Sequence, residues 1–171
     1  KKFFKFANDL EDKFCALGPR FLKTKKKGHI QIDKNLKIGK IDSIHGSYMF
    51  INRNRFNEIG KWDKNIFLFF EETEYCYRGK IKNLFSYQIN SIKTQTIDTT
   101  VKIKDEKIKK KWQNLLRWHF IWSKFYTTKK KYGFILSLII FIPIIIRISF
   151  KLFFHNITGD NDQLNKYKFI F

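Results

Sequence analysis

Residues 133 to 154 read GFILSLIIFIPIIIRISFKLFF, and this run narrows what the chain can fold into more than any other part of it. Residues 133 to 146 carry no charge. That stretch is shorter than the about 20 residues a helix needs to cross a bilayer. Extending it to Phe154 reaches the length but brings in Arg147 and Lys151. Pro143 removes one backbone donor from such a helix, so a freed carbonyl needs another partner. The segment therefore spans, lies in the interface, or docks on other parts of the protein. Its flanks favour membrane contact. Lys129, Lys130 and Lys131 stand just before it. Trp118, Trp122, Tyr126 and Tyr132 lie upstream, as interfacial aromatics do.

The rest of the chain is ordinary in hydrophobic content at 43% and unusual in charge, with 35 Lys and Arg against 15 acids and a net charge of +20. A core is affordable, and the expected partners are anionic: nucleic acid, a membrane, or phosphorylated substrates. The lysines are spread over the whole chain, and no nucleic-acid-binding signature accompanies them, which argues against nucleic acid. Cys15 and Cys76 stand far apart without a C-x-x-C pair, so free thiols are expected. There is no signal-peptide pattern at the start. The first residue is not Met, and YKFIF ends the sequence without a terminating turn, so a truncated chain is expected.

Phe3, Phe6, Leu10 and Phe14 recur near a helical period, predicting a helix over 3–14. CALGPRFLK reads as a short strand punctuated by Gly18-Pro19. KTKKKGHIQIDKNLKIGK reads as a loop or weak hairpin, SIHGSYMFIN as a strand, and RNRFNEIG as a short helix stopped by Gly60. IFLFF fits a strand or a helix start. A helix is predicted from Glu71 to about Lys82, strand and loop over 84–103, and a long helix from Lys107 to Thr127.

Scarce acids gather in FLFFEETEYCYR, where Glu71, Glu72 and Glu74 follow an apolar run. On a helix, Glu74 and Arg78 form an i, i+4 pair in the favourable order. Glu71 suits the first turn, where the helix dipole favours negative charge. Glu72 has Tyr75 and Cys76, not Lys or Arg, three and four positions on. A carboxylate there is suited to accept a proton, and aromatic walls would make it a stronger base. His29, His45, His119 and His155 show no metal-ligand spacing, and Asn156-Ile157-Thr158 is a lone sequon match.

The order GSYMFINRNRF, EIGKWD, FLFFEETEYCYR resembles the family 2 glycosyltransferases of bacterial cell-surface polysaccharide assembly. CALGPRFL resembles the Gly-Pro strand that precedes these segments in that family, and WHFIWSKFYTTKKKYG a helical segment that follows them in a membrane-associated subgroup. The resemblance covers about residues 5 to 150. It implies an α/β fold, the back half of a GT-A nucleotide-sugar transferase domain over 1–105. An aromatic and basic helix follows over 106–132, then a strongly hydrophobic membrane-associated helix over 133–155 and a polar tail over 156–171. It implies an inverting transfer of sugar from a nucleotide-sugar donor to a hydroxyl of a glycan or lipid-linked acceptor. Glu72 would be the general base. Gly46, Ser47, Trp62, Asp63, Glu71 and Arg78 would bind substrate, with Gly46 letting the backbone approach the sugar. A divalent metal, Mg or Mn, is implied, its ligands mostly before Lys1. The acids of NDLED are read as a solvated helix face. The implied location is the cytoplasmic face of a bacterial inner membrane, on an anionic leaflet.

The chain departs from the family pattern where Asp is replaced by Glu at 72 and 74. The extra methylene moves a carboxylate by about 1.5 Å. The His common after this helix is also missing, with Lys93 the nearest cation to stand in. The alternatives are a non-enzymatic basic module for membrane or nucleic acid, and an inert remnant of a transferase.

Overall fold

A computed structural model describes residues 2–22, 31–95 and 103–168, apart from the side chain of Asp162. The chain is mixed α/β, with six helices and one four-stranded sheet among the described residues. It divides into two compact units: 1–65 with 71–100, and 66–70 with 101–171.

The first unit holds α1 (Lys2–Asp9), β1 (Phe14–Phe21), β2 (Ile38–Ile41), β3 (Phe50–Ile51), α2 (Arg53–Ile59), α3 (Glu71–Ile81) and β4 (Phe85–Thr94). The strand order is β2-β4-β1-β3. β1 and β4 run parallel in the centre, while β2 and β3 pair antiparallel at the edges. β1 is buried at seven of its eight positions, as expected of a strand covered on both faces. One cluster holds Cys15, Ala16, Ile44, Ile59, Tyr75 and Leu84, bringing α2 and α3 onto the sheet. A second holds Phe6, Phe14, Leu17 and Ile89, bringing in α1.

Several expectations change here. The first helix stops at Asp9, well before Phe14. Glu11 and Asp12 follow with φ of 47° and 58°, so of the NDLED acids Asp9 ends the helix and the other two form a turn. Asp12 works in that turn, its carboxylate accepting from Asn54 Nδ2 at 2.7 Å. Gly18 and Pro19 lie inside β1 and do not interrupt it. A Cβ at Gly18 would run into the side chain of Ile44, so the strand needs glycine for packing. Among the described residues β3 pairs with β1 at Ala16 and Leu17 and no strand faces Pro19 on that side, where the missing N–H costs no ladder bond.

SIHGSYMFIN forms a single 3₁₀ turn, Gly46–Tyr48, and the two residues of β3. KIGKI supplies β2, a true edge strand, while 23–30 of the expected loop lie outside the described residues. α2 ends at Gly60, whose φ of 95° suits a residue without a Cβ. α3 and β4 lie where the periodicity puts them; residues 96–102, including the end of the expected strand-and-loop region, lie outside the described residues.

The second unit holds α4 (Glu106–Tyr132), α5 (Phe134–Ile157) and α6 (Asn161–Lys168). α4 starts on Asp105, whose carboxylate accepts from the amides of Lys107 and Ile108, and ends at Gly133 with φ 83°. α5 runs through Pro143 as one helix. IFLFF is neither strand nor helix. Phe69 and Phe70 have positive φ, and the segment packs on α4. Phe69 and Phe70 meet Phe120 at 5.6 and 5.3 Å, Phe67 meets His119 at 5.0 Å, and Ser123 Oγ donates to Leu68 O at 2.7 Å.

Candidate functional site

α3 carries all three acids of the FEETE stretch, and its packing sorts them. Tyr75, Cys76 and Gly79 are buried on the side that meets the sheet. Gly79 is required there. A Cβ on it would stand 2.7 Å from Cys15 Sγ and 2.9 Å from Leu84 O. Glu72 lies one turn before Cys76, so it emerges at the helix start on nearly the same side. At that level the neighbour is the 3₁₀ turn of Gly46. A Cβ placed on Gly46 would be 3.9 Å from Glu72 Oε2 and 3.9 Å from Glu71 Oε1. Gly46 and the two carboxylates are thus neighbours, with a methyl's width between them. An alanine would fit, but it would fill the space in front of the acids.

The turn is held from both sides. His45 Nδ1 accepts from the Ser47 amide at 3.2 Å and lies 2.9 Å from Ser47 Oγ. The ring also packs on Phe21 at 5.1 Å. Ser43 Oγ and Thr73 Oγ1, 3.1 Å apart, tie the chain before the turn to the first turn of α3. A small pocket lined by Pro19, Phe21, Gln31, Ser43, His45 and Gln88 lies beside the 3₁₀ turn. The sequence puts His45, alone of the four histidines, beside the proposed site but favours a strand histidine for it, and Ser43 and Thr73 gave no signal, because their pairing joins segments thirty residues apart.

Glu71 is half-buried, and its Oε2 is shielded from solvent with no hydrogen-bond partner. Leaving such an oxygen unsatisfied is costly, so the site is polar and incompletely filled. Glu74 is different. It is fully buried, and both of its oxygens accept from Arg78 Nε, at 2.9 and 3.0 Å. Arg78 also donates from Nη1 to Ile59 O at 2.6 Å and from Nη2 to Lys61 O at 2.8 Å. These bonds give Arg78 a holding role: it clamps α3 to the turn that leaves α2.

That turn carries Trp62 and Asp63. Trp62 is 40% exposed and packs on Tyr75 with ring centroids 4.7 Å apart. Asp63 Oδ1 accepts from the amide and side chain of Asn65, closing a local turn. Lys93 is exposed on β4, in register with Arg20. Behind the acids, the free thiols of Cys15 and Cys76 come together. Their mutual hydrogen bond pushes Cys15 above the ordinary thiol range and draws Cys76 below it, and burial pushes the Tyr75 hydroxyl up. This polar pair lies under the helix and not in the open site.

Among the described residues, no three His, Cys, Asp or Glu side chains gather as a metal site would need. Glu71 and Glu72 supply carboxylate oxygens, and Mg takes one or two carboxylates together with waters and substrate phosphates.

The chain is similar to a glycosyltransferase. That protein is the low-salt glycan biosynthesis hexosyltransferase Agl10 of Haloferax volcanii, 35% identical over 71 residues. The match covers 40% of this chain and 22% of the relative. No protein-family model matches the chain, and no solved structure matches it. The partial similarity supports a glycosyltransferase.

Proposed function

We propose that this chain is part of an inverting glycosyltransferase of the family 2, GT-A type, with Glu72 as its general base. The observation that carries this reading is the meeting of the Glu71 and Glu72 carboxylates with Gly46 at the start of α3. An acceptor hydroxyl entering over Gly46 comes within reach of Glu72. Glu72 takes the hydroxyl proton while that oxygen bonds to the anomeric carbon. The bond from the anomeric carbon to the nucleotide breaks, and the nucleotide leaves with the electron pair. One displacement inverts the anomeric centre, so no carboxylate nucleophile is needed.

Glu71, whose Oε1 faces the Gly46 turn, accepts a second hydroxyl of the acceptor and orients it. Ser47 and the exposed face of Trp62 provide further contacts for a sugar ring, and Asp63 shapes the turn that presents Trp62. Arg78 serves as a positioning residue. The extra methylene of Glu72, relative to an aspartate, is accommodated by the open Gly46 turn.

The donor is a nucleotide sugar, and the acceptor a glycan or lipid-linked saccharide. The reaction takes place at an anionic membrane surface, to which the α5 helix and the basic residues hold the protein. The relative comes from an archaeon, so the membrane is proposed as the cytoplasmic face of a cell membrane without restriction to bacteria.

The test is transfer of labelled sugar by the complete protein before and after Glu72→Gln. Removing a general base costs about 10²–10⁴ in rate. Loss of turnover with donor binding retained is expected. Unchanged turnover removes Glu72 from this role.

A further inference from the structure

We infer that the tryptophan-bearing face of α4 is a membrane-interface site, seated at the headgroup level of an anionic bilayer. The inference rests on the membrane contact proposed above and not on the sugar transfer. Ile108, Trp112, Leu115, Trp118 and Trp122 are exposed along α4, and Tyr126, half-buried, continues the line. At about 3.6 residues per turn they fall within an arc of about 120°. The rings are ordered along it. Trp118 stacks on Trp122 at 6.0 Å with planes 6° apart, and Trp122 on Tyr126 at 6.1 Å. Phe120 and Tyr132, also exposed, fall outside the arc: Phe120 meets Phe69 and Phe70, and Tyr132 ends the helix. His119 lies inside it, half-buried, with the rings of Trp118 and Phe67 at 4.9 and 5.0 Å.

The residue types of two neighbouring helices select the occupant. Three of the four tryptophans of the chain lie in α4. α5 holds no Trp or Tyr, and its exposed Ile, Leu and Phe side chains run round most of the helix. Phe125 meets Phe134 at 6.4 Å and Phe141 at 5.2 Å, which sets the end of α4 alongside the first two turns of α5. Aliphatic side chains suit the acyl chains of a bilayer. An indole or a phenol is apolar with a polar tip and suits its interface. In hydrocarbon the indole N–H would lose its partner, and in water the ring would stay wet. The two helices thus divide side chains as the depth of a bilayer divides them.

Charge names the kind of bilayer. Lys111 stands on the same face before the stacked pair, and Lys129 and Lys130 after it, all three exposed. Lys130 Nζ lies 5.8 Å from the Tyr126 ring. From Lys107 to Ile157 the sequence has no Asp or Glu. The face therefore offers donors, indole N–H and ammonium, without a carboxylate to accept. A neutral saccharide would find few acceptors there, whereas lipid phosphate is matched. The lysine stems lie along apolar surface while their ammonium groups reach the phosphates. The assignment is the same whether α5 crosses the bilayer or lies in it, because α4 adjoins the N-terminal end of α5 through Gly133.

The experiment follows the tryptophan emission of the full protein on vesicles of phosphatidylglycerol and phosphatidylcholine. The phosphatidylcholine is brominated either near the headgroup or near the chain end. Co-sedimentation reports the membrane contact, and quenching reports the α4 face. With three of the four tryptophans on α4, the shallow bromines are expected to quench more than half of the emission, and the deep ones less. Trp118→Phe with Trp122→Phe, both at exposed positions, is expected to lose about half of that quenching while still sedimenting with the vesicles. Stronger quenching by the deep bromines, or quenching unchanged in the double variant, overturns the inference. So does a bound protein that is not quenched, which places another partner over the face. A parent that stays in the supernatant removes the membrane contact and this inference with it, and leaves sugar transfer to a soluble acceptor to be judged by itself.

Discussion

Replacing Arg78 by alanine is the sharpest test of how the site is held together. As an exposed i, i+4 pair, Arg78 and Glu74 would contribute about 0.2–0.5 kcal/mol. The tertiary setting raises that value. Glu74 is fully buried, Nε holds both of its oxygens, and the two Nη groups hold the carbonyls of Ile59 and Lys61. Truncating Arg78 leaves a buried carboxylate without its cation and two carbonyls without donors. Breaking a buried pair from one side costs about 3–5 kcal/mol. The Arg78 side chain is 20% exposed, so water relieves part of this and the lower end, about 3 kcal/mol, is expected.

With a urea slope of about 2 kcal/mol per M, the unfolding midpoint falls by about 1.5 M. The measurement is a urea titration in mild detergent, read by hydrogen exchange of the β1 and β4 amides. A double variant, Glu74→Gln with Arg78→Met, removes the stranded charge and is expected to be more stable than Arg78→Ala alone. A shift below about 0.3 M for Arg78→Ala would mean an ordinary surface pair. The clamp between α3 and the Trp62 turn would then be wrong.

Gly46→Ala is expected to leave stability within about 0.5 kcal/mol, because the new Cβ meets only ordinary contacts, while lowering kcat/KM for the acceptor; steady-state kinetics beside a thermal melt separates the two effects. Gly79→Ala is expected to destabilise by about 1–3 kcal/mol through its clash with Cys15 and the Leu84 carbonyl, seen as a lowered Tm; Cys15→Ala in the same chain is expected to recover part of the loss. Asn52→Ala removes the cap of α2, a buried bond to the Phe14 carbonyl and a half-buried one to the Asp12 carbonyl, for an expected loss of about 2–3 kcal/mol by chemical denaturation. Asn52→Asp is expected to keep the cap and recover only part of that loss.

Local periodicity made much of the skeleton legible. α2, α3 and α4 form where apolar spacing and the Gly60 stop put them, because a helix face is written at fixed sequence intervals. The Glu74–Arg78 pair is legible for the same reason. The errors fall where a contact distant in sequence overrides a local signal. Gly18-Pro19 reads as a break, yet Ile44 packs on Gly18 and the strand continues. IFLFF reads as the start of a regular element, yet its rings settle on Phe120 and His119 of α4. His45 reads as a strand residue, yet it caps the turn that carries Gly46.

The sequence by itself determined α2, α3 and α4, the surplus of positive charge, the apolar run and the odd concentration of acids. Those properties depend on composition and on spacing within a few turns. Only the tertiary structure decided what each acid does. It buried Glu74 on Arg78, left one oxygen of Glu71 unsatisfied, and set both Glu71 and Glu72 against Gly46. It also put a charged helix against each half of α5. The physical reason is the same in each case. The cost of a charge or an apolar face is set by what packs against it, and those partners come from distant parts of the chain.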